Sequence, residues 1–209
     1  MGVETHLSDI YRLLAACFCS PERETLLQEN VPDQLHQALE KLCPQAADLS
    51  SQLAEQLTDA TQEELEVEYA RLFVGPHALP APPYGSVYMD GDRSVMGPST
   101  KEVARLYAAA GLEVDVENAE PADHIAVELE FVHYLASEEA RLRREGDEQR
   151  ATELGDLRRL FLSRLVFPWV PSFCDDVRAH TESRYFGTLA GTLKSFLCDR
   201  EVPRLGADA

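Results

Sequence analysis

Apolar residues recur along most of this chain at intervals of three and four, the period of a helix face, and nowhere alternate as in a half-buried strand. Leu7, Ile10, Tyr11, Leu14, Cys17 and Phe18 form the first such stripe, which Ser20-Pro21 ends. Short helices are expected near 22–29, 32–42 and 45–58, punctuated by Pro32 and Pro44. Thr61 and Glu64 have the spacing of a capping box, in which hydroxyl and carboxylate reciprocally satisfy free amides at a helix start. Leu65, Tyr69, Leu72 and Phe73 then line one face until Gly75-Pro76. Ser99 with Glu102 reads as a second capping box, opening a helix with Val103, Leu106, Tyr107 and Ala110 inward and Gly111 as its stop.

From Ile125 to Ala136 the pattern is apolar almost all round, which predicts a central helix buried on most sides, with a charged far end over 138–150. Leu154, Leu157, Phe161 and Leu165 mark a further helix, broken at Phe167-Pro-Trp-Val-Pro171. Helices over 173–181 and 185–197 follow, the latter with Phe186, Leu189, Leu193, Phe196 and Leu197 on one side. The pattern predicts an all-α fold of about nine or ten helices over residues 1–202, with a short flexible tail over 203–209. Two lobes hinged near 113–122 are an alternative arrangement. Gly75 to Pro98 holds five prolines and four glycines without a helical period. A loop of that length inside a compact domain is more often functional than idle, so it is the leading candidate for a binding surface.

Charge narrows the partners. The 19 Lys and Arg against 37 Asp and Glu leave a net of −18, which repels nucleic acid phosphate and anionic bilayers and favours basic peptides or proteins. Acidity also keeps many proteins dispersed, so it supports a basic ligand without showing one. Five cysteines, an odd and scattered set, fit a reducing compartment better than a disulfide scaffold. Cys17 and Cys19 point about 200° apart on a helix, so they read as packing residues rather than metal ligands. Glu4 and Asp9 stand where a secretory signal carries basic residues, and the apolar run that follows is too short to span a bilayer. Leu14-Ala-Ala-Cys17 has the look of a lipoprotein box without its basic leader. The expectation is a cytoplasmic protein with no stable membrane insertion.

Candidate chemistry is sparse. Asp123-His124 is the sharpest polar pair, with Asp123 suited to cap the central helix and His124 to face Glu128 one turn on. A cap and ion pair, or a hydrogen-bonding role toward a bound peptide, both suit it. General acid-base catalysis by the pair lacks a neighbouring nucleophile or oxyanion donors. Glu130-Phe-Val-His133 has the E-x-x-H spacing of di-iron bundles but occurs once, where two copies are needed. No phosphate-cradling loop, dinucleotide fingerprint or nucleophile elbow is present, and no metal or other cofactor is expected. In the loop, rigid prolines and amphipathic tyrosines make a contact surface with little entropy to lose. For Leu72 and Phe73, sealing the core is the better reading.

Three blocks in order, Glu68-Tyr69-Ala-Arg-Leu72-Phe73-Val-Gly75-Pro76, Pro82-Pro83-Tyr84-Gly-Ser86-Val-Tyr88 and Pro121-Ala-Asp123-His124-Ile-Ala-Val-Glu128-Leu129, strongly resemble the TorD/DmsD family of redox-enzyme maturation chaperones. A weaker match continues through Phe161-Leu162 and Pro168-Trp169-Val-Pro171. The resemblance implies an all-helical cytoplasmic protein, not itself an enzyme. Such a protein holds a molybdopterin oxidoreductase precursor, often by its twin-arginine signal peptide, until cofactor insertion and export. Peptide-recognition positions would map onto Tyr69, Leu72, Phe73, Gly75, Pro76, the Pro82 to Tyr88 stretch and Asp123 with His124. Asp123 and Glu128 would then favour the arginines by charge-assisted hydrogen bonds. Tyr69 stands where members serving dimethyl sulfoxide reductases often have Trp, and Leu165 near a His of many relatives, so the client stays open. An assembly factor that binds a mature region of a non-exported metalloenzyme subunit is the alternative. The fold type also admits either a monomer or a domain-swapped homodimer exchanged at Glu113 to Ala122.

Overall fold

The computed structural model describes residues 3–75, 78–91, 93–112 and 120–199. Among them the fold is all-α, and the sole β feature is an isolated antiparallel bridge between Tyr84 and His124. The first helix, α1 (Val3–Phe18), buries the stripe from Leu7 to Phe18 against the long central helix α9 (Ile125–Glu145) and against α3 (Val31–Leu39). At 21 residues, α9 runs about 30 Å through the molecule and is buried on most sides, as its apolar run predicts. Its charged end carries the ion pairs of Arg141 with Glu138 and Glu145. One contiguous core joins helices on both sides of segment 113–122, so in this structure the two helix groups share their interior. Residues 113–119 of the expected hinge and the tail lie outside the described residues.

The boundaries follow local chemistry. The 45–58 stretch divides into α4 (Pro44–Ser50) and α5 (Leu53–Asp59), after the short α2 (Arg23–Gln28). The capping box of Thr61 and Glu64 opens α6 (Gln62–Tyr69). The expected box at Ser99 does not form: α8 (Pro98–Ala109) begins one residue earlier. There the Ser99 amide and hydroxyl both donate to Asp90, while Glu102 pairs with Arg105. Asp90 belongs to a short helix, α7 (Gly85–Met89 with Asp90 at its C-cap), inside the stretch expected to lack helix. Gly146, in the left-handed region, ends α9, and Asp147 then caps α10 (Glu148–Phe161) by accepting from the Arg150 amide. That cap starts α10 earlier than its apolar stripe suggests. A π-helical turn over Leu162–Val166 leads to α11 (Val170–His180) and α12 (Arg184–Cys198). No described helix is long and apolar enough to cross a membrane.

Central to the α9–α10 contact is a buried ion pair, Glu139 with Arg158 at 3.0 Å, both side chains under 5 % exposed. Arg143 adds a second donor to Glu139 at 2.8 Å. Removing one member of such a pair strands a desolvated charge, which costs about 3–5 kcal/mol. Glu139→Ala is therefore expected to lower the urea unfolding midpoint by that much stability without changing the denaturant slope, which equilibrium denaturation would read directly.

Candidate functional site

After α6 the chain does not stop but widens into a π-helical turn over Ala70–Val74, closed by the Gly75 amide donating to Ala70 O at 2.9 Å. Such widenings push side chains off the regular helix face and often mark functional sites. Here Val74 is left 65 % exposed while Leu72 and Phe73 turn into the core. Gly75 ends the turn at φ 87°, a conformation that costs a side-chain-bearing residue but not glycine. What holds α6 in place is Glu68. Its carboxylate accepts from Arg71 at 2.8 Å, the Thr181 hydroxyl at 2.7 Å and the Glu182 amide at 2.7 Å, tying α6 to the α11–α12 turn. Burial opposes its ionisation, but these donors win and hold its pKa down at about 2.

The loop after Gly75 returns to the start of α9 and is clamped there. Gly85 N donates to Asp123 O and Ile125 N to Pro83 O, both at 2.9 Å, forming the Tyr84–His124 bridge. A third bond runs from Ser86 N to Asp123 Oδ2 at 2.8 Å. Behind the bridge, Trp169 Nε1 donates to Glu128 Oε2 at 3.1 Å, and a side chain at Gly85 would meet the indole at 3.1 Å, so glycine permits the close approach. Burial, helped by the negative Asp123, pushes Glu128 well above the usual carboxylate range against the pull of the indole N–H. Asp123 is fully buried and caps α7; the α9 cap is His124, whose Nδ1 accepts from the Ala126 amide. Burial lowers the His124 pKa against the pull of Glu120 and Asp123. With Nδ1 accepting, the neutral ring keeps its proton on Nε2.

This geometry redistributes the expected recognition residues. Leu72, Phe73, Pro82, Pro83, Ser86, Asp123 and Glu128 are all buried, so Asp123 and Glu128 do not present carboxylates to a ligand in this conformation. His124 makes its helix bond through the backbone, its carbonyl accepting from Glu128 N, and no ion pair with that residue. Tyr88 stacks on Trp169 at 5.6 Å and donates to Asp176, facing α11. Pro76 lies outside the described residues. Tyr69 and His124 do meet, in a groove of about 380 Å³ between the end of α1, α6 with its π turn, and the start of α9. Tyr84 closes one edge, its ring 5.4 Å from His124 and its hydroxyl donating to Glu120 at 3.3 Å.

Around that groove stand three exposed carboxylates, Glu66, Glu120 and Glu130, and none makes an ion pair among the described residues. Their crowding is felt by neighbours: after burial, Glu130 and Glu120 are the causes that raise the Cys19 thiol, and Glu120 raises Tyr69. Tyr84 is pushed up to about 12, by burial first and by Glu120 second. The sequence reading missed these acids. Their one signal was Glu130 three residues after Val127 within an otherwise apolar run, where attention went to the E-x-x-H spacing. In the structure that spacing is no pair: His133 bonds Ser8 of α1 through Nδ1 at 2.8 Å while Glu130 faces the groove. Cys17 is buried as expected, whereas Cys19 is exposed and lines the groove. No group of three or more potential metal ligands occurs among the described residues. A larger cavity, about 690 Å³, lies against α12 and contains none of the expected recognition residues.

A helical scaffold with an unpaired acidic groove and no clustered ligands or nucleophile is built to hold a partner. Known proteins agree. A family model described as nitrate reductase delta subunit matches residues 28–175. The "Tat proofreading chaperone DmsD" of Salmonella typhi is 30% identical over 186 residues, covering 85% of this chain and 80% of that protein. The "Chaperone protein TorD" of a Psychrobacter species is 29% identical over 193 residues, 87% of this chain and 84% of its own. A crystal structure of a putative redox enzyme maturation protein from Archaeoglobus fulgidus superimposes with a TM-score of 0.59 at 26% identity, covering 94% of this chain and 95% of that one. The chain belongs to the TorD/DmsD family of redox-enzyme maturation chaperones, a non-catalytic family implicated in molybdoenzyme maturation.

Two stability measurements test the supports of the groove. Because Glu68 titrates lower in the folded state, its contribution is present above pH 4.5 and lost as pH falls toward 2; Arg71 is 39% exposed, so screening leaves about 1–2 kcal/mol. Glu68→Gln should lose that stability at pH 7 and flatten the acid limb of a pH–stability curve. Glu128 has the opposite sign, since the folded state keeps a proton that the unfolded chain releases above about pH 4.3. Glu128→Gln should remove a loss of stability that the parent shows on going from pH 5 toward neutrality.

Proposed function

We propose that this protein holds a molybdopterin oxidoreductase precursor in the cytoplasm by seating the twin-arginine signal peptide of that client in the groove between α1, α6 and α9. The observation that carries the reading is the set of unpaired carboxylates, Glu66, Glu120 and Glu130, facing one opening beside exposed Val74. A guanidinium pairs with carboxylates through two parallel N–H···O bonds, and two adjacent arginines would engage more than one of these acids. The apolar part of the signal would lie along Val74 and Val127, with Tyr69 and the His124 Nε2–H offering bonds to its backbone. Asp123 and Glu128 serve this site by clamping the loop and not by touching the peptide.

The test is titration of a fluorescent twin-arginine signal peptide into the protein and into a Glu120→Gln/Glu130→Gln double variant. Neither side chain is buried, so the variant should melt like the parent. Each charge-assisted contact is worth about 1.5–3 kcal/mol, so affinity should fall at least tenfold, and parental affinity should weaken as salt is raised. Undiminished binding by the double variant would remove the signal peptide from this groove. Capture of a client lacking its leader would favour an assembly factor for a mature subunit instead.

A further inference from the structure

On the side of the molecule formed by α4, α5, α11 and α12 lies the cavity of about 690 Å³, and its charge is opposite to that of the whole chain. Arg178, Arg184 and Lys194 line it and no carboxylate does. Arg178 makes no hydrogen bond or ion pair among the described residues, and Arg184 reaches only Asp59, at 4.0 Å. Lys194 is anchored to Asp175, at 2.5 Å. The face of α12 between the cations is bare. Gly187 and Gly191 lie there one turn apart, and a Cβ on Gly191 would find nothing closer than 3.9 Å. Opposite stands Leu49, an apolar side chain 40% exposed.

Dimensions and bonding capacity select the ligand. Arg184 and Lys194 are ten residues apart on one helix, about 15 Å along its axis, so the cations mark a trough longer than a single phosphate. An extended chain covers that distance in four to five residues, and side chains four apart in it point the same way. The second selection comes from Gln56. It is only 5% exposed and lines the trough, its amide nitrogen donates to Gln52, and its Oε1 accepts from no described group. A buried acceptor left unpaired is costly, and a phosphate dianion, which has no hydrogen to donate, cannot relieve it; a peptide N–H can. The glycine floor lets a backbone come that close.

We infer that this trough is a second binding site, for an extended acidic peptide segment whose carboxylates, spaced four residues apart, meet Arg184 and Lys194 while its backbone donates to Gln56. Arg178 supplies a further cation from the α11 wall. The site is separate from the acidic groove and of opposite charge, so one protein would hold a basic and an acidic segment at different places. The net charge of −18 slows approach of such a ligand but acts weakly at the trough itself, since the screening length at physiological salt is about 8 Å.

The probe is an acetylated, amidated fluorescent peptide of Ser, Thr and Val with Glu at two positions four apart, measured by anisotropy at physiological salt. Controls carry Lys at those positions or place the two Glu side by side. The full-length protein should bind the first probe, bind the adjacent-Glu peptide several-fold more weakly, and ignore the Lys peptide. Arg178→Glu/Arg184→Glu, at two exposed positions, should weaken binding at least tenfold with an unchanged melting curve, whereas Glu120→Gln/Glu130→Gln should leave it as in the parent. No binding of the first probe, equal binding of the Lys peptide, or an unaffected arginine double variant would overturn the inference. Displacement of the probe by inorganic phosphate at equal concentration would do so as well, assigning the cavity to a small phosphorylated ligand.

Discussion

Three hydrogen bonds around Asp123 hold the site of this protein together. The backbone exchange between the Pro83–Gly85 segment and Asp123–Ile125, with the Asp123 carboxylate on Ser86 N, welds a loop that would otherwise have no helix to belong to onto the start of the central helix. Every other feature of the groove is placed relative to that weld. It sets His124 against Tyr84, orients Tyr84 toward Glu120, and presses Gly85 onto the Trp169 indole that in turn holds Glu128. Burying a carboxylate is expensive unless it is bonded or neutral, and the two acids adopt one solution each. Asp123 accepts a backbone amide, while burial and its neighbour's charge keep the Glu128 proton in place.

Charge is partitioned over the surface as well. An excess of carboxylates spread evenly would only raise solubility. Here Glu66, Glu120 and Glu130 converge on one opening without cations, whereas Glu68, Glu102, Glu138 and Glu139 are each matched to an arginine. Unmatched acids around a concave surface lose little as long as water reaches them, and gain when a guanidinium replaces that water. The trough along α12 applies the same logic with the sign reversed, through cations that the acidic remainder of the chain leaves under-used. A chaperone that recognises unfinished proteins gains from two such sites, because two modest contacts on one client multiply through effective concentration.

Apolar periodicity determined the fold class, the long buried α9 and the core roles of Leu72 and Phe73, because a helix face needs only local spacing to be recognised. The capping box at Thr61 and Glu64 was equally legible, since both partners lie within four residues. The three sequence blocks identified the family and the segments that meet. What they left open was orientation. Asp123 read as a helix cap and arginine partner, yet the bridge to Tyr84 turned it inward and passed the cap to His124. Ser99 read as a cap, yet Asp90, nine residues earlier, took its amide and hydroxyl. Only the tertiary structure could decide which carboxylates face a ligand, because Glu66, Glu120 and Glu130 are 64 positions apart at their extremes and become neighbours through packing of α6 against α9 near the end of α1. Local spacing specifies what each segment becomes; which of its polar groups are left without a partner depends on everything packed around it.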